Sequence, residues 1–244
     1  MGFVFAGLTA VLAVMIYVAV QRLGAKGWMA EFKAVSPVTL TPLSVLNGFL
    51  LAFIAANVWS NWDRASGFVA HEAAALRHAE VLAATISPEV AQDIKTIIRA
   101  HIDRAVSEEW PAMAKGELHM GLRQPALLDA VQRLLAVQPQ GFGQQQAVQH
   151  SLAAIESAMS ARRERIMLSE AGRVDLAKWL ALFALAAGLQ ATIAMVHVDR
   201  PRAKQVALAI FTAAAMLCFV VIGLYDRPFH NGVPPTALLE IRPG

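Results

Sequence analysis

Residues 34–62, AVSPVTLTPLSVLNGFLLAFIAANVWSNW, hold no charged side chain between Lys33 and Asp63. Roughly 20 predominantly apolar residues cross ~30 Å of hydrocarbon as a helix. This run therefore predicts a transmembrane helix over about 38–60. Three more runs share the property. Residues 1–21 precede the first charge, Arg22, and no charge occurs between Lys178 and Asp199 or between Lys204 and Asp226. They predict helices over about 3–21, 177–198 and 204–225. The alternative is a large soluble protein with four buried core helices, but core helices of that length usually carry charges on one edge. Composition agrees with the membrane reading. The 244 residues are 57% hydrophobic and 16% charged, against ~45–50% and ~25% in soluble domains. So apolar a chain is not disordered. Its 21 basic against 18 acidic residues give no basic run for nucleic acid.

Residues 61–175 read differently. They carry most of the acidic residues and alternate apolar and polar positions at helical spacing. Ala65, Val69, Ala73, Leu76, Ala79 and Ala83 form a stripe that follows the second span without a breaker, so that helix is expected to extend beyond the membrane. Ser87-Pro88-Glu89 is a helix start, with a capping Ser, Pro at the first position and an acid in the first turn. Val90, Ile94, Ile97, Ile98 and Ile102 form its inner face, and Trp110-Pro111 is expected to stop it. A further helix is expected to start at Pro125. Residues 138–146, rich in Gln, Gly and Pro, read as a loop. Val148, Leu152, Ile155, Met159 and Ile166 mark a last long helix reaching toward Gly172. The fold class is thus an all-α integral membrane protein: four transmembrane helices with a helical extramembrane domain inserted between helices 2 and 3. The expected division is 1–60 for helices 1 and 2, 61–175 for the helical domain, 176–226 for helices 3 and 4, and 227–244 for a C-terminal tail.

A cleaved signal peptide needs a basic segment before its apolar stretch. Met1-Gly2-Phe3 offers none, and Arg22 and Lys26 come after. The first helix is therefore read as retained. Lys and Arg in short loops mark the cytoplasmic side. Arg22, Lys26 and Lys33 in the first short loop, and Arg200, Arg202 and Lys204 in the last, place both loops there. The helical domain and both termini would then be outside, periplasmic in a bacterial inner membrane. Arg162, Arg163, Arg165 and Arg173 oppose this, but long domains translocate largely regardless of charge.

No enzymatic site is indicated. His71-Glu72 begins like a zinc-protease helix, but the second histidine position is Ala75. His78 lies seven residues on, about 10.5 Å along a helix, too far to share a tetrahedral zinc with His71. Gly141-Phe142-Gly143 follows no strand and is no phosphate cradle. Cys218 lies within the fourth span. No catalytic residue, metal site or cofactor is assigned.

Amides inside a membrane must face other helices or water. Asn47 and Asn57 lie in the second span, Gln190 and Thr192 in the third. They read either as contacts between helices or as part of a permeation path. Val45, Phe49, Phe53 and Asn57 recur every four residues, continued by Asn61, and share one slowly rotating face of the second helix. Ala52, Ala55 and Ala56 flank it and permit close approach of neighbours. A ring of bulky apolar side chains can gate a pore by dewetting. The alternative is a stripe packed on another helix or facing lipid.

The stretch Leu43–Ala65, LSVLNGFLLAFIAANVWSNWDRA, resembles the second transmembrane helix of bestrophin channels, in which an apolar helix with a Gly-Phe step runs into an aromatic and polar end. The whole chain resembles the bestrophin-like family of bacterial membrane proteins, a domain of unknown function. The pieces that carry this are Trp59–Ala65, Glu72-Ala73 through Leu76, Glu109-Trp110-Pro111 with Gly116, Arg162 with Arg165, and Tyr225-Asp226-Arg227-Pro228-Phe229 with Gly232. Bestrophins are pentameric anion channels with an apolar neck on the second helix. The resemblance implies a homo-oligomer, five copies by analogy, that passes inorganic ions, chloride among them, with Val45, Phe49 and Phe53 in the neck; the four-residue face they share would then widen to a polar mouth at Asn57. No bestrophin calcium clasp is recognisable, so calcium gating is not implied. The competing expectation is a non-conducting sensor or scaffold whose helical domain binds a partner.

Two structural expectations complete the reading. Glu72 sits at the edge of the apolar stripe and is expected to be partly buried and paired with Arg162, Arg163 or Arg165; the alternative is a solvated helix flank. Tyr225–Gly232 is expected to be structural, with Asp226 ending the fourth span, Pro228 stopping the helix, and Asp226 paired with Arg162 or Arg165 or else solvated.

Overall fold

A computed structural model describes residues 1–116, 125–172 and 174–242; Arg173 lies outside them. The described residues are helical, with no strand among them. In chain order the helices are α1 (Gly2–Leu23), α2 (Met29–Ala34), α3 (Leu40–Ala84), α4 (Pro88–Arg104), α5 (Trp110–Lys115), α6 (Pro125–Leu135), α7 (Phe142–Ala171), α8 (Leu176–Val196), α9 (Pro201–Tyr225), α10 (Pro228–Asn231) and α11 (Thr236–Glu240). Four helical segments are long and apolar enough to cross a membrane: Gly2–Ala34, Pro37–Ala84, Leu176–Val196 and Pro201–Tyr225. Each covers most or all of one charge-free run. The chain is a membrane protein with four such helices.

The chain divides into two compact units. The first comprises Met1–Trp59 and Val174–Asp226, the second Ser60–Arg173 and Arg227–Gly244. In the first unit, α1 packs on α8 and α9. Phe5 stacks on Trp179 with ring centres 5.4 Å apart, and Trp179 meets Phe219 at 6.2 Å. Ile54 and Val58 of α3 join this cluster. Gly2 and Gly223 let α1 and α9 touch backbone to backbone: a Cβ on Gly223 would lie 2.7 Å from Gly2 Cα. Gly27, at φ 105°, kinks the chain between α1 and α2; that left-handed backbone favours glycine. Gln190 is fully buried and joins three helices, its Nε2 donating to Thr9 O at 3.2 Å and to Thr212 Oγ1 at 3.0 Å. Thr192 Oγ1 instead donates to Gly188 O on its own helix.

The second unit has its own core, with Leu76 and Ala79 of α3, Ile94, Ile98 and Ile102 of α4, Leu127 and Leu134 of α6, and Ile155 of α7. Each buried aliphatic side chain contributes roughly 1.5–3 kcal/mol. Ser87 caps α4 by accepting from Val90 N at 3.2 Å. Residues 227–242 belong to this unit, with Phe229, Val233 and Leu238 in its core.

Two local readings of the sequence change here. Trp110-Pro111 does not stop a helix. A π-helical turn, Ala105–Glu109, leads from α4 into α5, and Pro111 follows directly after that turn. Gly116, at φ 74°, ends α5. Residues 138–146 are not all loop, because α7 begins at Phe142. The Gln144 side chain secures that start, its Oε1 accepting from Gln140 N at 2.8 Å and its Nε2 donating to Ile86 O at 3.0 Å. The end of the fourth long helix keeps its expected place: α9 stops at Tyr225 with Asp226 as its cap, before Pro228, which opens the short helix α10.

Candidate functional site

The second unit places two carboxylates, two guanidiniums and an imidazole together in its core. Glu72 comes from α3, His101 from α4, Glu109 from the π-helical turn, and Arg162 and Arg165 from α7. All five are buried. Arg165 donates from Nε to Glu72 Oε2 at 2.8 Å and from Nη2 to Glu109 Oε2 at 2.9 Å. Arg162 donates from Nε to Glu109 Oε1 at 2.8 Å. His101 Nε2 lies 2.9 Å from Glu72 Oε1. The Arg165 guanidinium also sits 4.7 Å from the Trp110 ring. Trp110 is fixed in turn by donating Nε1 to Val233 O at 3.1 Å and by meeting Phe229 edge-on at 5.8 Å.

Local structure explains how the five meet. Arg162 and Arg165 are three residues apart and share one face of α7, where Arg163 is exposed. His101 continues the inner face of Ile94 and Ile98. The wider π-helical turn re-aims the chain by one residue and brings Glu109 inward. Burial alone would push the Glu72 carboxyl up. The Arg165 charge and the His101 hydrogen bond overcome it, and the carboxyl is held at about 2. Burial likewise opposes the Arg165 charge, and the facing Glu72 and Glu109 carboxylates outweigh it and raise its value. The cluster is thus an internally matched ionic lock. Breaking such a buried pair by removing one partner costs ~3–5 kcal/mol.

The first unit holds the second candidate. Ile54 and Val58 of α3 are buried against α1, α8 and α9. The other face of α3 is left largely uncovered by the described residues: Val45 is 50% exposed, Phe49 72% and Phe53 62%. Asn57 is exposed beside them, its Nδ2 donating to Phe53 O at 2.8 Å, so its amide donor is used within α3 rather than between helices. Asp226 is buried at the end of α9, where its Oδ1 accepts from Val174 N at 2.6 Å.

Among known proteins, a family model described as a Bestrophin-like domain matches residues 7–234. The chain belongs to the bestrophin-like family. The match runs through both units of this bestrophin-like chain, the exposed α3 face and the ionic lock included. No curated protein and no solved structure matches it.

Sequence reasoning reached Glu72, Arg162 and Arg165, but not His101 or the contact role of Glu109. The spacing Ile94–Ile98–His101–Ile102 places His101 on the buried stripe, and that was the available signal. His71 and His78, set aside as a zinc pair, line a surface groove between α3 and α7 with His150. His71 Nε2 lies 2.9 Å from Ser157 Oγ, and among the described residues no group of three or more such side chains is placed to hold a metal ion.

Proposed function

We propose that the protein is a homo-oligomeric membrane ion channel whose pore is lined by α3, with Val45, Phe49 and Phe53 as an apolar neck and Asn57 at its polar mouth. The observation that carries this is the asymmetry of α3: Ile54 and Val58 are buried within the chain, while Phe49 and Phe53 are not covered by it. A helix in that situation is finished by lipid or by other copies. Family membership and the small residues Ala52, Ala55 and Ala56 favour copies around an axis. Anion preference rests on the resemblance to bestrophins alone. In this reading the second unit is an extramembrane helical domain between the second and third spans. The charge balance of the short loops favours placing it, with both termini, on the periplasmic face of a bacterial inner membrane.

The test is the mass of the detergent-solubilised protein, followed by current recordings after reconstitution in planar bilayers. A closed ring of three or more copies with chloride-dependent current supports the proposal. A monomer or closed dimer without current refutes it and leaves the scaffold reading.

A further inference from the structure

The buried charges of the second unit are matched among themselves, whereas the first unit holds one that is not. Lys204 lies in the first turn of α9, is 1% exposed, and has its Nζ 4.7 Å from the centre of the Tyr17 ring on α1. No carboxylate among the described residues forms an ion pair with it. An aromatic face stabilises an ammonium but does not neutralise it.

Next to this cation a groove of about 400 Å³ runs between α1 and α9. Its floor is made of small residues, Ala10 and Ala13 on α1 and Ala209 and Ala213 on α9, and one end carries Tyr17 and Gln205. Gln205 donates from Nε2 to Tyr17 Oη at 3.0 Å. The Tyr17 hydroxyl accepts that bond, so its own proton is free to point to another acceptor. This end of the groove therefore offers two donors, one of them on the ring that packs against the buried Lys204 ammonium. Arg22 in the last turn of α1, Lys26 just after it, and Arg200 and Arg202 just before Lys204 are exposed and add to the same sign.

We propose that this groove is a binding site for an anionic phospholipid. One acyl chain lies along the alanine floor. The phosphate oxygens accept from Tyr17 Oη and from the second amide hydrogen of Gln205, in the field of Lys204. The groove belongs to helices read as spanning the bilayer, where an uncovered apolar channel is filled by lipid or protein. Charge complementarity decides between them. A second copy would bring these same loops to this end, where Glu31 and Asp199 are outnumbered by Arg22, Lys26, Lys33, Arg200, Arg202 and Lys204, so its net charge here has the same sign. A zwitterionic choline lipid would bring its own cation beside Lys204. A basic membrane-facing end selects anionic lipid.

The experiment is native mass spectrometry of the full chain in detergent, incubated with phosphatidylglycerol or phosphatidylcholine of identical acyl chains. Wild type is expected to retain phosphatidylglycerol in preference, and Lys204→Gln to lower that preference about fivefold. Tyr17→Phe keeps the ring under Lys204 and removes only the hydroxyl, so it decides the matter if Lys204→Gln does not fold; it should also weaken the preference. Ala209→Trp fills the floor and should lower retention of both lipids at unchanged oligomer mass. Inorganic phosphate at millimolar concentration should not displace the lipid, because it has no acyl chain. Equal retention of the two lipids by wild type would overturn the proposal. So would full preference in Tyr17→Phe, displacement by phosphate alone, or an Ala209→Trp variant with altered oligomer mass and unchanged lipid retention, which would mark the groove as a seat for another copy.

Discussion

Arg165 and Glu72 meet at 2.8 Å between guanidinium Nε and carboxylate Oε2, and neither side chain has exposed surface. The pair joins α7 to α3, helices whose contacting residues are 93 positions apart in the chain. Glu109 satisfies the same guanidinium from its other side. Removing the Glu72 charge leaves a buried cation with one partner fewer. Glu72→Gln is expected to lower stability by ~3–5 kcal/mol. Glu80, half-buried on the same helix, is the control, and Glu80→Gln should stay within ~0.5 kcal/mol. Thermal unfolding in detergent reads both; equal, small effects would show that the lock adds nothing.

The same pair sets an acid limit. Glu72 lies beyond the charge-free run of α3, and its carboxyl is held at about 2 against an ordinary value of 4.5. A carboxyl lowered in the folded state contributes stability that is complete above its unfolded value and is lost as pH falls through its folded value. The melting temperature of the wild type should therefore decline from about pH 4.5 toward pH 2. Glu72→Gln should be less stable throughout and show a shallower decline over that interval. Parallel curves for the two proteins would remove Glu72 as a source of acid sensitivity.

The four spans were legible because hydropathy is a local property: a charge-free run needs no knowledge of its neighbours to be committed to hydrocarbon. The inward position of Glu72 was legible for a similar reason, since Val69, Ala73 and Leu76 fix the buried side of α3. Its partner was not. Arg162, Arg163 and Arg165 are equivalent as residues, and only the placement of α7 separates the buried two from the exposed one. Glu109 was hidden by the π-helical turn, which breaks the 3.6-residue count used to assign faces. The start of α7 was hidden because its support, Gln144 bonding to Ile86 O, joins residues 58 positions apart within a composition that reads as loop.

The contact between α1 and α9 tolerates no side chain at its closest point. A Cβ on Gly223 would sit 2.7 Å from Gly2 Cα and 3.0 Å from Gly2 N. Backbone cannot yield as a flexible side chain does, so Gly223→Leu must separate the helices. Overpacking of this kind typically costs ~1–3 kcal/mol. Gly188 on α8 has nothing within 4 Å of an added Cβ, and Gly188→Ala should leave the melting temperature unchanged or raise it. A Gly223→Leu variant as stable as wild type would show that the two helices are free to move apart.

The two faces of α3 make opposite demands on mutation, and the proposed pore depends on that contrast. Ile54 is 1% exposed and packs within its own chain, so Ile54→Ala should cost ~2–5 kcal/mol and leave ion flow per assembled channel unchanged. Phe49 and Phe53 touch little of their own chain, so Phe49→Ala and Phe53→Ala should leave monomer packing intact. If copies gather with this face around an axis, those rings form the narrowest apolar girdle, and apolar girdles exclude ions by dewetting. Truncating either ring widens the girdle and should raise leak or open probability in planar bilayers. Phe53→Ala also removes the ring beside Asn57, whose amide already donates to the Phe53 carbonyl, and so extends the polar mouth by one turn. Wild-type silence together with silence from both alanine variants, in assemblies of confirmed mass, would assign this face to lipid or to a partner protein instead.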